Sequence, residues 1–147
     1  MDETIRPPQI MVVDDDPDTV SILARHLQRE GFVPVEANSG AECLKLVQEK
    51  EVDVILLDLM MPDMDGFQVC KALKNNPDTA EIPVIMITAR DDLDARAEGM
   101  RLGVSDFLSK PVFRRQLANR VRAQLAAVAV GRHTTETLNR MEGKVRK

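Results

Sequence analysis

Alternating strand-like and helix-like segments run along almost the whole chain and limit the folds open to it. The segments 52–58 (VDVILLD) and 82–88 (IPVIMIT) are nearly continuous in apolar residues, as strands covered on both faces of a parallel sheet are. Three further strand-like runs lie at 9–13, 32–37 and 104–109. Strands that alternate with helices need crossover connections, which place helices on both sheet faces. The sequence therefore predicts a doubly wound α/β fold, with ligand sites beyond the carboxyl ends of the strands.

Most of the predicted helices have residues at their ends that favour a helix boundary. Asp16, Ser39 and Asp65 each stand directly before a helical segment and can accept hydrogen bonds from its first free N–H groups. Gly31 and Gly103 follow two of the segments and suit the left-handed conformation in which helices often end. These signals predict five helices, the last beginning at residue 111.

The composition supports a packed domain and argues against nucleic-acid binding. Hydrophobic residues make up 44% of the 147 residues, which is enough to form a core. Aromatic residues make up only 3%, without Trp or Tyr, and this argues against a platform on which single-stranded nucleic acids stack. The formal net charge of −4 gives no general attraction to DNA or to anionic membranes. We therefore expect no direct nucleic-acid binding by this domain.

The sequence also predicts a protein of the cytoplasm. The N-terminal residues MDETIRPPQ contain acid and proline in place of an apolar segment, and the longest apolar runs are much shorter than a bilayer span. Cys43 and Cys70 are too few for a disulfide framework and fit free thiols in a reducing compartment. We expect a cytoplasmic location and no membrane contact.

The chain divides into a main domain and two short flanking segments. We expect a domain over residues 9–128, preceded by an N-terminal extension over residues 1–8. Residues 129–147 carry five Lys or Arg residues against two Glu, so this segment is basic while the whole chain is acidic. A frayed tail or linker is the simplest interpretation, because chain ends are often poorly ordered. A short helix that extends a dimer, or a stub that leads to an effector, remains an alternative.

Acidic residues cluster where the predicted strands end. The triplet 14–16 follows the first strand and Asp58 the third, while Thr88 ends the fourth and Lys110 follows the fifth. Because adjacent strands lie about 4.8 Å apart, these end positions converge on one pocket. Carboxylates this close repel each other unless a cation enters, and Mg²⁺ prefers such oxygen ligands. The triplet alone could be a solvated loop with a helix cap, but a carboxylate that closes an apolar strand is costly unless a ligand uses it.

Four motifs in this order resemble a known family. The runs VVDDDP, LMMPDMDG, IPVIMITA and DFLSKP are similar to those of bacterial response-regulator receiver domains, and the similarity spans about Gln9 to Val128. The resemblance implies a flavodoxin-like three-layer sandwich, with five helices and a five-stranded parallel sheet in the order 2-1-3-4-5. It also implies a two-component phosphorelay in which the partner is a sensor histidine kinase or a phosphotransfer protein.

The resemblance assigns roles to the acidic residues. It implies that Asp58 is the phosphoacceptor and that Mg²⁺, or Mn²⁺ as a substitute, is the cofactor. Asp15, Asp58 and the backbone carbonyl of Met60 are expected to bind the metal directly, and Asp14 through a water molecule. Phosphoryl transfer needs alignment and neutralisation of charge more than covalent help, which agrees with this set.

The resemblance also implies a conformational switch. Lys110 is expected to pair with the phosphoryl oxygens, with a cis peptide bond before Pro111, and Thr88 to hydrogen-bond to the phosphoryl group. Ala89 is small and is expected to leave the site open to small molecules. Phe107 occupies the position of the switch aromatic but has no hydroxyl, so the switch is expected to depend on packing alone. A plain core phenylalanine is the alternative.

Charges on the last two helices suggest a homodimer through helix 4, strand 5 and helix 5. Acid on one subunit would meet base on its mate in a twofold pairing. Ion pairs within one subunit are the alternative, because exposed pairs contribute little stability. The residues concerned are the acidic Asp91, Asp92, Asp94 and Glu98 and the basic Arg114, Arg115, Arg120 and Arg122.

Two other functions compete with the phosphorylation switch. An aspartate-nucleophile hydrolase needs a second Asp two residues after the nucleophile, where this chain has Met60. We therefore expect a protein that catalyses only its own phosphorylation and dephosphorylation, and not an enzyme with an external substrate. The other alternative is an interaction module that works without phosphorylation. The sequence identifies neither the cognate kinase nor the output.

Overall fold

Five parallel strands form one sheet in the order β2-β1-β3-β4-β5, which confirms the predicted order. The structure is a computed structural model that describes residues 6–90 and 92–146, with side chains up to residue 130. Its strands and helices alternate without exception in the described residues. They are β1 (Gln9–Val13), α1 (Pro17–Arg29), β2 (Val33–Ala37), α2 (Gly40–Glu49), β3 (Val54–Leu57), α3 (Gly66–Asn75), β4 (Val84–Thr88), α4 (Leu93–Arg101), β5 (Asp106–Ser109) and α5 (Arg114–Arg146).

The sheet is covered on both faces, as its apolar central strands predict. Every residue of β3 and β4 is buried. One core cluster joins alternate strand residues to α2, α3 and α4, and the other joins the remaining ones to α1 and α5. Burying a side chain of Val, Leu or Ile contributes about 1.5–3 kcal/mol, so these two layers supply most of the stabilisation. The carboxyl ends of the strands, where the polar residues lie, are thereby held rigidly.

The predicted helix boundaries are confirmed at all five residues that marked them most clearly. Asp16, Ser39 and Asp65 are N-caps whose side chains accept from backbone N–H groups of α1, α2 and α3. Asp65 forms a reciprocal capping box, because the side chain of Gln68 accepts from its backbone N at 2.9 Å. Gly31 follows α1 with a φ of +89° and Gly103 follows α4 with a φ of +93°, a conformation that glycine adopts without steric cost.

The last helix differs from its predicted start. α5 begins at Arg114, three residues after Pro111, and Phe113 O accepts its first backbone hydrogen bond, from Leu117 N at 2.9 Å. Residues 111–113 therefore form a connection instead of a first turn. α5 then continues as helix to Arg146 and includes most of the segment expected as a tail. No helix in the described part of the chain has the length and apolar character needed to cross a membrane.

The end of the N-terminal extension is attached to the sheet. Arg6 forms ion pairs with Asp53 at 3.0 Å and Glu51 at 3.5 Å. The Asp53 carboxylate also accepts from Gln9 N at 2.8 Å, and Pro8 O accepts from the first residue of β2. β3 begins at residue 54, two residues later than the predicted apolar run. Residues 1–5 lie outside the described residues.

Asp65→Ala is expected to lower the free energy of unfolding by about 1 kcal/mol, because it removes the capping bond to Gln68 N at 2.9 Å. Asp63→Ala is the matched control, since Asp63 is exposed and lies two residues earlier, outside any helix. Urea denaturation of both variants measures the difference. Equal losses in the two variants would show that the removed charge, and not the cap, is responsible.

Candidate functional site

Polar side chains meet at the carboxyl end of the sheet, as the sequence predicts. Asp14 follows β1, Asp58 follows β3, Lys110 follows β5, and Thr88 is the last residue of β4. Backbone hydrogen bonds fix their register, because Asp58 N donates to Val13 O and Lys110 N to Thr88 O, both at 3.0 Å. The four side chains of the site therefore start from rigid strand ends.

Three carboxylates of this site lie within reach of one cation. One oxygen from each of Asp14, Asp15 and Asp58 lies within 4.8 Å of the others. Asp14 and Asp58 are buried, with 2% and 6% of their surface exposed, whereas Asp15 is exposed. Hard divalent cations such as Mg²⁺ take oxygen ligands of this kind and usually retain water on an open side. The set of carboxylate donors fits such an ion.

Lys110 balances part of this negative charge. Its Nζ lies 2.8 Å from Asp14 Oδ2 and 3.3 Å from Asp58 Oδ2. The expected cis peptide bond between Lys110 and Pro111 is present. Burial opposes the charged form of the lysine, but the hydrogen bond to Asp14 and the charges of both carboxylates outweigh it and raise the pKa of Lys110. The lysine is therefore a permanent cation at neutral pH.

Lys110 does not balance all of the negative charge, and the excess affects the pKa of Asp58. Burial and the negative charge of Asp14 raise the pKa of Asp58, although Lys110 and the backbone N of Met60 act against them. Met60 N donates to Asp58 Oδ1 at 3.3 Å. A carboxylate whose ionised form is disfavoured in this way is stabilised when a cation binds to it or when it reacts with an electrophile.

Gly66, at the start of α3, packs directly against the loop that carries Asp58. A Cβ atom at this position would lie 2.6 Å from Asp58 O and 2.8 Å from Leu59 Cα. Gly66 N also donates to Leu59 O at 2.8 Å. The sequence analysis included this residue only as the last letter of the motif LMMPDMDG and gave it no role.

Thr88 links the site to the loop before α4. It is fully buried, and its Oγ1 accepts from Arg90 N at 3.1 Å. Alternate residues of a strand share a face, so Thr88 points to the same side as Met86, which is paired with Phe107 on β5. Ala89, which lies between Thr88 and Arg90 in the chain, is exposed. A shift of the Thr88 hydroxyl would therefore act on both the loop and the core around Phe107.

Phe107 is a core residue in this structure, with 6% of its surface exposed. Its ring lies against Gly99 of α4, and the guanidinium carbon of Arg96 lies 5.3 Å from the ring centroid. The sequence interpretation included neither Gly99 nor Arg96. Met60, the expected carbonyl ligand, has a side chain that is 57% exposed beside the site.

The acidic residues expected at the dimer surface lie on or next to α4. Asp92 is the N-cap of α4 and is exposed, as are Asp94 and, on α5, the basic Arg115. Glu98 pairs with an arginine of its own helix. Asp91 lies outside the described residues. Only some of the expected charges therefore remain available to a second subunit.

The other basic residues expected at the dimer surface form ion pairs within the subunit. Arg114 and Arg122 lie 3.1 Å and 2.9 Å from the carboxylate of Glu30, at the end of α1. Arg120 lies 2.8 Å from Asp106 on β5. These arginines join α5 to its neighbours, which is the alternative that the charge pattern left open.

The fold and this site agree with the comparison with protein families. The response regulator receiver domain model matches residues 10–122. The chain belongs to the response regulator receiver domain family of two-component signalling systems. Such receivers are signalling modules and not enzymes that turn over an external substrate.

Similar proteins support the same assignment. The chain is 39% identical over 133 residues to the heme response regulator HssR of Staphylococcus aureus, a match that covers 90% of this chain and 58% of the relative. The chain thus spans little more than half of that relative's length. Among solved structures, the Vibrio cholerae chemotaxis protein CheY4 has a TM-score of 0.79 at 28% identity, covering 82% of this chain and all of that one. The receiver domain of Francisella response regulator 1452 has a TM-score of 0.75 at 31% identity, covering 82% and 98%.

Asp58→Asn is expected to stabilise the metal-free protein at neutral pH, because burial and Asp14 disfavour the ionised carboxylate. The pKa of Asp58 is higher in the folded protein than in the unfolded chain. The wild-type protein therefore loses stability relative to the variant as the pH rises through the carboxyl range, and the two converge at acidic pH. Urea unfolding in the presence of a chelator, from acidic to neutral pH, measures this change.

The exposed Asp63→Asn variant is the control for this experiment and is expected to follow the wild-type protein at every pH. An Asp58→Asn variant that is less stable than the wild type at neutral pH would contradict the expected electrostatic strain.

Proposed function

We propose that this receiver accepts a phosphoryl group on Asp58 and uses the modification as a signalling switch. The observation that carries the proposal is the position of Lys110 Nζ, 3.3 Å from Asp58 and 2.8 Å from Asp14, at one edge of a cluster of three carboxylates. A nucleophilic carboxylate, an acidic pair and a cation at one sheet edge match the needs of phosphoryl transfer, which are alignment and neutralisation of charge.

The acidic residues would hold a divalent cation, Mg²⁺ or Mn²⁺. Asp15, Asp58 and the backbone carbonyl of Met60 would bind it directly, and Asp14 through water. The ion supplies positive charge to the transferred phosphoryl oxygens when it is bound. The burial of Asp14 and Asp58 supports this role, since two adjacent buried carboxylates and one lysine leave an excess of negative charge.

Asp58 would act as the nucleophile in a simple displacement. One carboxylate oxygen bonds to phosphorus as the bond from phosphorus to the donor breaks, and the donor keeps the bonding electrons. The donor is a phosphohistidine of a sensor histidine kinase or phosphotransfer protein, or a small acyl phosphate. Lys110 then pairs with the phosphoryl oxygens, and the burial of its neighbours strengthens that pairing because little water screens it. The reaction would take place in the cytoplasm.

Thr88 and Phe107 would convert the modification into a change of shape. The Thr88 hydroxyl leaves Arg90 N and hydrogen-bonds to the phosphoryl group, and the loop before α4 follows it. Space then opens beside Met86, on the sheet face that Thr88 and Phe107 share. The 3.1 Å bond between Thr88 and Arg90 supports this path, since it joins the hydroxyl to the loop directly. Ala89 leaves the site accessible from outside.

The changed surface would bind a partner or a second subunit through α4, β5 and α5. Leu93 and Met100 on α4 are 84% and 73% exposed, which is unusual for large apolar side chains. They support a docking surface on this helix, beside the exposed Asp94 and Arg115. The three arginines that form ion pairs within the subunit contribute less to such a surface.

Incubation with acetyl phosphate and Mg²⁺ is expected to add the mass of one phosphoryl group to the protein. The gain should disappear in Asp58→Asn and on chelation of the metal, because the nucleophile or the neutralising charge is then missing. It should persist in the control Asp63→Asn, whose exposed carboxylate lies outside the cluster. Intact-mass spectrometry measures the gain. Absence of any gain in the wild-type protein would instead favour an interaction module that works without phosphorylation.

The same treatment is expected to raise the molar mass from monomer towards dimer in light scattering. Met100→Lys should reduce the dimer fraction severalfold, because it places a charge on the exposed apolar surface of α4. Ile22→Lys is the control, since Ile22 is 51% exposed but lies on α1. A monomer before and after phosphorylation would rule out the dimer.

A further inference from the structure

Met60 places an exposed thioether beside the proposed phosphoacceptor. Its side chain is 57% exposed, although its backbone N donates to Asp58 Oδ1 at 3.3 Å. The next residue, Met61, is only 8% exposed, and Met11 and Met86 are fully buried. An oxidant in solution reacts with the sulfur atoms that it can reach, and methionine is converted to its sulfoxide in this way. Met60 is therefore much more open to oxidation than these three buried methionines.

Met60 and Arg90 line the same cavity between the loop after β3 and the loop after β4. The cavity has a volume of about 370 Å³, and its lining residues are Leu59, Met60, Met61, Asp65, Phe67 and Arg90. Most of this lining is apolar, and the carboxylate of Asp65 is already used as the cap of α3. Arg90 therefore supplies the positive charge on the wall of the cavity.

The guanidinium of Arg90 can donate to a new acceptor in this cavity. Its Nε lies 3.2 Å from Asp92 Oδ2, and the two side chains are 48% and 55% exposed. Exposed ion pairs contribute little, and a guanidinium has further N–H donors besides Nε. The thioether of Met60 is a weak acceptor and offers these donors little, whereas a sulfoxide is polar. Oxidation of Met60 would thus create a partner for Arg90.

We propose that Met60 is a site of reversible oxidation by hydrogen peroxide and other small hydroperoxides, and that its sulfoxide binds Arg90 and slows phosphorylation of Asp58. A lone pair of the sulfur bonds to the terminal peroxide oxygen as the O–O bond breaks. The other oxygen takes up the proton of the attacked one and leaves as water or as an alcohol. The sulfur is oxidised by two electrons and the peroxide is reduced by two. The sulfoxide oxygen then accepts a hydrogen bond from the guanidinium of Arg90.

The sulfoxide would slow phosphorylation for two reasons. Arg90 N donates to Thr88 Oγ1 at 3.1 Å, so a bond from Met60 to Arg90 ties the loop that holds the Thr88 hydroxyl to the loop after β3. The sulfoxide oxygen also adds negative partial charge beside three carboxylates, where an anionic phosphodonor would enter. This consequence rests on the proposed function, whereas the oxidation and the bond to Arg90 do not.

The cysteines are poor competitors for peroxide. Cys43 and Cys70 are both fully buried, and the thiolate is the form that reacts. Burial raises the pKa of the Cys43 thiol to about 12 and also raises the pKa of Cys70. Brief treatment with peroxide at neutral pH therefore acts on the exposed methionines first.

Limited treatment of the full chain with hydrogen peroxide is expected to oxidise Met60 and Met100 well before Met11 and Met86. Met100 is 73% exposed on α4 and serves as the internal standard for an exposed methionine. Tandem mass spectrometry of peptides measures the sulfoxide at each position. If Met60 is oxidised as slowly as the buried Met86, the site is wrong.

Oxidation is expected to slow the gain of a phosphoryl group from acetyl phosphate about two- to tenfold, the factor that corresponds to the net contribution of one hydrogen bond. Each variant is compared with itself before and after peroxide. The loss should persist in Met100→Leu and disappear in Met60→Leu, and methionine sulfoxide reductase should reverse it in the wild-type protein. An equal loss in Met60→Leu would show that another residue is responsible.

The bond to Arg90 has its own test, which needs no phosphorylation. The ¹⁵N signal of Arg90 Nε should shift when the wild-type protein is oxidised and stay in place in Met60→Leu. Arg90→Leu should lose most of the effect of peroxide on phosphorylation. Arg101→Leu is the matched control and should keep it, because Arg101 pairs with Glu98 on α4 and is not part of the cavity lining.

The oxidation site and the proposed function fail in distinguishable ways. If Met60 is oxidised and the Arg90 signal shifts but no protein gains a phosphoryl group, the oxidation site stands and the phosphorylation proposal fails. If the untreated protein is phosphorylated and the oxidised protein reacts at the same rate, the reverse holds. An Arg90 signal that does not respond to oxidation of Met60 would overturn the proposed bond between them.

Discussion

Two carboxylates buried side by side are the constraint around which this domain is organised. Asp14 and Asp58 follow neighbouring strands, and the Lys110 amine reaches both from the edge strand, past the end of β4. The strand order 2-1-3-4-5 brings these three residues within the reach of one lysine side chain, because neighbouring strands lie only about 4.8 Å apart. Two apolar layers hold the strands in that order, and the unfavourable charge of Asp58 is tolerated because the rest of the fold is rigid. Stability is thus given up at the small site that we propose to be reactive.

The domain combines the rigid carboxyl end of its sheet with the less firmly packed helix α4. Thr88 stands between them, fully buried at the end of a strand but hydrogen-bonded to the loop before α4. Thr88 therefore connects the site directly to the loop that leads into α4. The ion pairs of Arg114, Arg120 and Arg122 add to this division, since they attach α5 to α1 and to β5 and keep the opposite layer in place.

Much of the fold could be predicted because the pattern of residues within each short segment indicates whether that segment is a strand or a helix. The apolar runs of β3 and β4 predict buried parallel strands, and the caps Asp16, Ser39 and Asp65 predict where helices begin. The convergence of Asp58 and Lys110 follows from the parallel topology, whereas the strand order and the cis peptide bond came with the family resemblance.

Contacts between elements could not be predicted in the same way. The fit of Phe107 to Gly99 depends on how α4 is rotated over the sheet, which the pattern of one helix does not specify. The pairing of Arg122 with Glu30 similarly depends on how α5 lies against α1. At the start of α5, Pro111 is a favourable first residue of a helix, yet the helix begins only at Arg114, and the sequence pattern gives no sign of this delay.

The sparse anchoring of α4 has a mechanical consequence. A helix whose buried residues are only Ala95 and Gly99 contributes little apolar surface of its own to the core, so its partial detachment mainly exposes the Phe107 ring that it covers. Its local opening should therefore cost far less free energy than opening of β3 or β4, which are buried throughout. Compliance is therefore concentrated in one outer layer, which is the layer that the proposed shift of the Thr88 hydroxyl would have to move.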